Sequence, residues 1–271
     1  MKIDILSDIH CDHWVKQNQN INKFKRFIEL QIKPKSDYII IAGDLAHSMD
    51  NGIKFIKALK EYYKRIIMVF GNHDYYMTEK EFKKYPSYKE KIADYKSKLD
   101  IDILDGDLIE IEGIKIFGCG MWYDFSYLNT YWANTFPNEH FKGKLWSDTM
   151  NDSNRIKELK GNTHTESYNN VMNLFYNEIS KFDKYSNADI IVTHVSPVNI
   201  PSLMIERYRN DPVSSFFCYN GIDQVKNCIA KYWIFGHTHV ELEYELFNTK
   251  MICNPLGYPH EKHNKIKTIE I

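Results

Sequence analysis

Five short apolar runs in this chain stop in the same way, each on an Asp, Asn or His within a few residues. Ile3–Leu6 runs into Ser7-Asp8-Ile9-His10, Tyr38–Ala42 into Gly43-Asp44, and Arg65–Phe70 into Gly71-Asn72-His73-Asp74, which reads as a loop. Further on, Asp189–Val192 runs into Thr193-His194 and Tyr232–Phe235 into Gly236-His237-Thr238-His239. Short runs of β-branched and large apolar residues read as buried strands. Polar side chains at the exit of a buried strand cost free energy unless a partner satisfies them. A polar turn explains any one of these exits and does not explain all of them. Ligands of open α/β sheets collect at the carboxyl ends of strands, so the five groups are expected on one edge.

The segments between the runs carry the helical period. Ile21, Phe24, Phe27, Ile28 and Ile32 mark one helix, closed by Pro34, and Ile53, Ile56, Leu59 and Tyr63 mark the next. A βαβαβ order predicts parallel strands covered by helices. Thr78 to Glu81 matches a capping box opening a third helix, interrupted near Pro86. Its lysines alternate with acids and read as a solvated face. Ile101–Leu104, Leu108–Ile111 and Ile114–Cys119, punctuated by Gly106 and Gly113, suggest a meander. Helical spacing returns at Tyr168, Val171, Phe175, Ile179 and Phe182, and strand-like runs follow at 242–247, 251–253 and 267–271. One domain is expected over residues 1–271. Residues 121–165 read as a cap inserted in it, rich in aromatics (Trp122, Tyr123, Phe125, Tyr127, Tyr131, Trp132, Phe136, Phe141, Trp146) and weak in periodicity.

Composition narrows the class of partner. With 43% hydrophobic residues the chain can build a sizeable core. A formal charge of −1 supplies no global field toward nucleic acid or a membrane. The cap is near-neutral as well, which argues against tight, salt-dependent duplex binding. The five cysteines are odd in number and form no C-x-x-C, as expected of reduced thiols in a cytosolic protein. No apolar run nears the roughly 20 residues of a membrane helix. Charge arrives too early for a signal peptide, so a cytoplasmic location is expected.

The strand exits supply Asp8, His10, Asp44, Asn72, His194, His237 and His239. Asp8 and His10 are two apart, which in extended chain puts them on one side. Imidazole mixed with carboxylate and amide oxygen suits transition metals, Mn first and otherwise Fe, Zn, Co or Ni, better than Ca or Mg. Seven ligands are too many for one catalytic ion with open positions and match two ions sharing a ligand.

Taken in order, D-x-H, G-D, G-N-H-D, H and G-H-x-H resemble the calcineurin-like metallophosphoesterases, from Asp8 to His239. The resemblance implies an α/β fold, a four-layer α/β/β/α sandwich of two packed sheets flanked by helices. It implies two divalent or mixed-valence ions. Asp8, His10, Asp44 and His239 would bind the first; Asp44 would bridge to the second, completed by Asn72, His194 and His237. His73 would be the catalytic group beside the metals. Asn151-Asp152, Arg155-Ile156 and Asn254-Pro255-Leu256-Gly257-Tyr258 are also similar to a bacterial and phage branch of predicted phosphohydrolases. One departure stands out. In the protein serine/threonine phosphatase branch, the third residue after the bridging aspartate is an aspartate supporting the catalytic histidine, followed by an arginine. Here those positions are His47 and Ser48, and GNHD replaces GNHE, which argues against that substrate class. His47 and Asp74 are then candidates to sit behind the ligands, with a surface histidine as the alternative for His47.

The chemistry agrees with phosphoester hydrolysis. Two cations about 3.5–4 Å apart hold phosphate oxygens and lower the pKa of a bound water for in-line attack. A histidine titrating near neutrality can stabilise charge or protonate the leaving oxygen. The expected substrate is a phosphodiester of a nucleotide or nucleic acid. A dianionic monoester calls for further cations, and the chain has five arginines, none inside the motifs. A phosphomonoesterase or pyrophosphohydrolase using the same site is the alternative. A non-catalytic scaffold is the alternative of another class, disfavoured because every ligand position is intact. Asp124, Asp152 and Arg155 are expected nearest the substrate, Arg155 because its planar fork matches phosphate. His13, His140, His164, His260 and His263 have no ligand-like context and are expected to be surface or structural. The oligomeric state stays open.

Overall fold

A computed structural model describes the chain apart from residues 17, 18, 205 and 262–264, and apart from the side chain of residue 207. His263 therefore lies outside the described residues. The strands are β1 Lys2–Leu6, β2 Tyr38–Ala42, β3 Arg65–Val69, β4 Asp102–Ile103, β5 Asp107–Ile111, β6 Ile114–Gly118, β7 Ile190–Val192, β8 Tyr232–Phe235, β9 Leu242–Leu246, β10 Thr249–Cys253 and β11 Lys267–Glu270. The helices are α1 Cys11–Trp14, α2 Ile21–Phe27, α3 Met49–Leu59, α4 Asn72–Tyr75, α5 Glu79–Lys84, α6 Tyr88–Leu99, α7 Ser126–Tyr131, α8 Glu139–Thr149, α9 Asp152–Arg155, α10 His164–Ile179 and α11 Ile222–Asn227.

They build two sheets, a five-stranded one in the order β11-β1-β2-β3-β4 and a six-stranded one in the order β5-β6-β7-β8-β10-β9. The inner strands β1, β2 and β3 are parallel, with Ile5 beside Ile40 and Ile40 beside Ile67. In the second sheet β6, β7, β8 and β10 are parallel, and β5 and β9 close the edges antiparallel. Side-chain alternation sorts the layers. Ile3, Ile5, Ile40, Ala42, Ile67 and Val69 turn inward and meet Ile116, Ile190, Val192, Ile234 and Ile252 of the facing sheet. Burying each Ile or Val contributes about 1.5–3 kcal/mol. Their neighbours Leu6, Ile39, Ile41, Ile66 and Met68 face the other way, into the core that the helices cover. The layers are therefore helix, sheet, sheet, helix, as expected of two-faced buried strands.

The three runs between 101 and 119 are strands but form no meander. β4 is a parallel edge strand beside β3, whereas β5 and β6 make a hairpin that opens the second sheet. Alternation marks a strand without naming its neighbour. The capping box is present at Thr78, whose hydroxyl accepts the Glu81 N–H. The expected solvated face of α6 is interrupted by Lys91, which is fully buried. Residues 121–165 hold α7, α8 and α9. Trp122, Tyr123, Phe125, Trp146 and Ile156 are buried in the main core, and Tyr131 and Phe141 stay exposed. The five cysteines are free. Among the described residues no helix is long and apolar enough to cross a membrane.

Candidate metal centre

The five polar exits meet, three from the carboxyl ends of β1, β2 and β3 and two from those of β7 and β8. They belong to two sheets rather than to one edge of a single sheet. The sheets are joined at this end by a short bridge between Ser7 and Pro255. Asn254 donates through its amide to the Ile5 carbonyl, 2.9 Å, and the Gly257 N–H to the Asp8 carbonyl, 2.9 Å. The stretch 254–258 is thus the clasp between the sheets.

The backbone here is bent into the left-handed region. Asp8 (φ 50°), His10 (φ 42°), Asp44 (φ 58°), His237 (φ 70°) and His239 (φ 52°) all lie there. Such residues cost of order 1–3 kcal/mol each and persist only where the surroundings enforce them. Asp8 and His10 converge for this reason and not because the chain is extended. Gly71 is required by close approach, because a Cβ there would lie 2.2 Å from Asp44 Oδ1. It leads into α4, a single helical turn where a loop was expected. The Asp74 carboxylate of that turn accepts the N–H groups of Gly71 (2.9 Å), Asp44 (3.0 Å), Leu45 (3.1 Å) and Ala46 (3.4 Å). It ties the β2 exit to the β3 exit. Burial pushes its carboxyl up to about 7, while the four N–H donors favour the ionised form.

Two ligand-sized clusters share Asp44. One brings together Asp8, His10, Asp44 and His239, the other Asp44, His194 and His237. His10 Nε2 is 3.0 Å from His239 Nε2 and 3.7 Å from Asp44 Oδ2, and His239 Nε2 is 3.6 Å from Asp8 Oδ1. His194 Nε2 is 3.1 Å from Asn72 Oδ1 and 3.4 Å from Asp44 Oδ1, which adds Asn72 to the second cluster.

Outward hydrogen bonds decide which atoms point inward. His194 Nδ1–H donates to the Ala42 carbonyl (2.8 Å), His237 Nε2–H to the Phe216 carbonyl (2.8 Å) and His239 Nδ1–H to Glu261 Oε2 (2.9 Å). With one nitrogen committed outward, each ring turns its second nitrogen to the cluster, a lone pair wherever the ring is neutral. Asn72 donates its amide to Asp152 Oδ1, 2.8 Å, so its carbonyl oxygen also points inward. Asp44 Oδ2 is buried without a hydrogen-bond partner. Lone pairs converging on buried space with outward-facing hydrogen bonds behind them are the arrangement of metal ligands, and the residues fit divalent cations. The field agrees. Burial lowers the His194 pKa, but Asp44 and Asp8 overcome it and hold the ring up to about 9. Burial raises Asp44, yet His194 and His73 bring it well below the carboxylate range.

The remaining expected residues fall into place unevenly. His73 donates its N–H to Asp44 Oδ1 (2.9 Å), and its ring Nε2 is 4.0 Å from Asp44 Oδ2. At 14% and 17% exposure, the His73 and His239 side chains are the open members of an otherwise buried cluster. His47 is no isolated surface group, because its ring nitrogen contacts His73 Nδ1. One substrate expectation is corrected. Asp152 is fully buried, accepting from Asn72, Tyr76 Oη (2.6 Å) and Tyr123 Oη (2.7 Å), so it orients Asn72 and cannot touch substrate. Asp124 is half-buried and accepts the N–H groups of Ser126 (2.9 Å) and Asn220 (3.1 Å). Arg155 is exposed, and its charge adds to burial in lowering the His47 pKa.

Sequence reasoning missed Glu261, Tyr258 and Lys91. Tyr258 stacks on the His10 ring at 4.5 Å, and His13 sits 4.8 Å from Tyr258 and 5.1 Å from His47. The similarity at 254–258 was the one signal pointing to Tyr258. Glu261 had none.

The comparisons agree with this geometry. A family model described as calcineurin-like phosphoesterase matches residues 1–241. An uncharacterized protein of Acanthamoeba polyphaga mimivirus is 23% identical over 240 residues, covering 84% of this chain and 80% of that protein. The crystal structure of a phosphopantetheinyl hydrolase from Mycobacterium tuberculosis superposes with a TM-score of 0.71 at 14% identity, over 99% of this chain and 95% of that one. The two-sheet fold, the shared-carboxylate clusters and a match spanning the segment from Asp8 to His239 lead to one assignment: the chain belongs to the calcineurin-like phosphoesterase family, the metal-dependent phosphoesterases.

Proposed function

We propose that this chain hydrolyses a phosphodiester with two divalent transition-metal ions that share Asp44. The carrying observation is the pair of inward lone-pair clusters joined by an unpartnered Asp44 oxygen. Asp8, His10, Asp44 and His239 would hold one ion, and Asp44, Asn72, His194 and His237 the other. Such a pair supplies a water of lowered pKa and neutralises charge on the phosphoryl oxygens. The chain's own groups do the rest. His73 places a ring nitrogen over the cluster, where it donates to a phosphoryl or leaving-group oxygen. Arg155, at the open side, meets a further anionic oxygen. An apolar pocket lined by Met204, Tyr208, Phe217, Leu242 and Tyr244 adjoins the cluster, with Phe217 4.9 Å from the His237 ring. It suits the second ester substituent, which a diester has and a simple monoester lacks. Residues 121–165 would cap this side, through Asp152 behind Asn72 and Arg155 at the rim. A nucleotide-like diester is the substrate class favoured, and Mn the first metal to test.

The test is elemental analysis of protein purified with Mn, then kcat/KM for matched aryl diester and monoester substrates, cyclic nucleotides and single-stranded DNA. Two ions per chain and a diester preference are expected. One ion at saturating metal overturns the two-ion reading. A monoester preference overturns the diester.

A further inference from the structure

A second concave surface begins where the metal centre ends. Tyr258, whose ring lies on His10 at 4.5 Å, follows Gly257, and the Gly257 carbonyl accepts the indole N–H of Trp14 at 3.0 Å. Trp14 packs on Phe27 at 5.3 Å. From there a groove of about 380 Å³ follows α2 and the turn Ile28–Ile32 that continues it. That is the size of a ligand cleft, about 300–1,000 Å³.

Its charge is one-sided. Lys16, Lys23 and Arg26 line it, and among the described residues no carboxylate does. Lys23 and Arg26 stand three apart on α2, so they share a face. Among the described residues none of the three is paired with an acid, whereas Lys25 beside them pairs with Glu61 at 2.7 Å. The acids nearest in sequence are engaged elsewhere. Asp12 accepts the His47 and Ser48 N–H groups, at 3.0 and 3.2 Å, and Glu29 accepts the Tyr62 hydroxyl at 2.8 Å. In a chain of formal charge −1, three unneutralised cations along one groove are a local concentration of charge.

We propose that this groove holds the continuing strand of a single-stranded nucleic acid whose phosphodiester lies at the metals. The proposal rests on the diester reading of the centre and names the kind of diester. A single phosphate does not occupy three cations spread over two segments, whereas a backbone with one charge per nucleotide does. Single-strand sites join a basic track to an aromatic surface for a base. Trp14, half-buried with its N–H held by Gly257, supplies that surface. A membrane fits less well, because the surface is concave and its one exposed apolar side chain among the described residues is Leu30. The two substituents of the diester then part company at the metals. One enters the apolar pocket beside His237, and the other leaves past Tyr258 and Trp14.

The experiment compares wild type with the triple exchange Lys16→Gln, Lys23→Gln, Arg26→Gln and with a charge-keeping triple, Lys16→Arg, Lys23→Arg, Arg26→Lys. Turnover in Mn is measured on a twelve-nucleotide oligothymidylate and on bis(p-nitrophenyl) phosphate, with the same preparation of each protein. Binding is read by anisotropy of the labelled oligothymidylate and the matched oligouridylate on Mn-loaded His73→Ala protein, with and without the exchanges. Charge and stacking predict that both bind. The Gln triple should lower kcat/KM for the oligonucleotide roughly 10–100-fold relative to the small diester, through KM, and the charge-keeping triple should hold the ratio. The slope of log Kd against log salt should shrink by about 2 in the Gln triple, at about 0.7 per phosphate contact. An unchanged ratio and slope, or an equal loss in the charge-keeping triple, overturns the proposal. So does inorganic polyphosphate bound as tightly as the oligonucleotide, or phosphatidylserine vesicles bound in its place. If wild type hydrolyses no phosphoester, the diester reading fails while anisotropy still judges the groove.

Discussion

The two proposed ion positions share Asp44 and differ in what stands behind them. On the Asn72 side the supports are inside the protein: the Ala42 and Phe216 carbonyls behind His194 and His237, and buried Asp152 behind Asn72. On the His239 side the support is Glu261, a partly exposed carboxylate in the loop after β10. Buried backbone carbonyls, one in a strand and one in a 3-10 turn, cannot swing away, whereas a side chain on a loop can. The difference teaches that one bridged centre can join a fixed half to an adjustable half. On the two-ion proposal the fixed half would set affinity and the adjustable half would accommodate substrate and product.

The comparison breaks most completely at the shared group. Asp44→Ala is expected to lose both ions and all measurable turnover, because the bridge and the charge compensation disappear together. Elemental analysis that still finds one ion would show the halves to be independent. Next in size is the group that belongs to neither half. His73→Ala should keep both ions and lower kcat roughly 10²–10⁴-fold, the range of a positioned acid or base. A lost ion in that variant would make His73 a ligand.

Two smaller changes separate the halves. Asp152→Ala should weaken the Asn72-side ion roughly 10–100-fold. It should also lower stability in urea, since Asn72, Tyr76 and Tyr123 each lose an acceptor, at about 1–3 kcal/mol per unmet group. Glu261→Gln should weaken only the His239-side ion, roughly tenfold and with no change in urea midpoint, because a partly solvated support contributes less. Stepwise chelation followed by anomalous scattering should accordingly empty the His239 side first. Simultaneous loss of the two ions would refute the asymmetry. The smallest effect is expected at Asp124, where Asp124→Asn should leave kcat/KM unaltered, since its oxygens serve only loop N–H groups.

The residues that converge were legible where one short segment carried both the signal and the group. A buried run followed by Asp8, Asp44, Asn72, His194 or His237 shows a strand and its polar exit together. Legibility ended where function depended on distant pairing. Asp152 reads as a substrate residue because it is a polar group in the stretch 121–165 expected to cap the site. Its partners are 80 and 76 residues earlier, at Asn72 and Tyr76, and only folding makes it a buried orienter. Lys91 looked like part of a solvated face because its helix is lysine-rich; its three carbonyl partners lie 44, 17 and 15 residues away. The false meander has the same origin, since alternation in 101–119 could not reveal that β4 and β5 belong to different sheets.

The clasp at 254–258 also sets an order of events during synthesis. Asp8 and His10 are made before their partners, since the strand that carries them is completed on one side by β11 and its exit is closed by Asn254, Gly257 and Tyr258, some 250 residues later. At roughly 5–20 residues per second, tens of seconds separate the two ends. For most of that interval the proposed ligands at the exits of β1, β2 and β3 wait without the histidines that follow β8 and without the clasp. The proposed centre is complete only once residues 254–258 have been made.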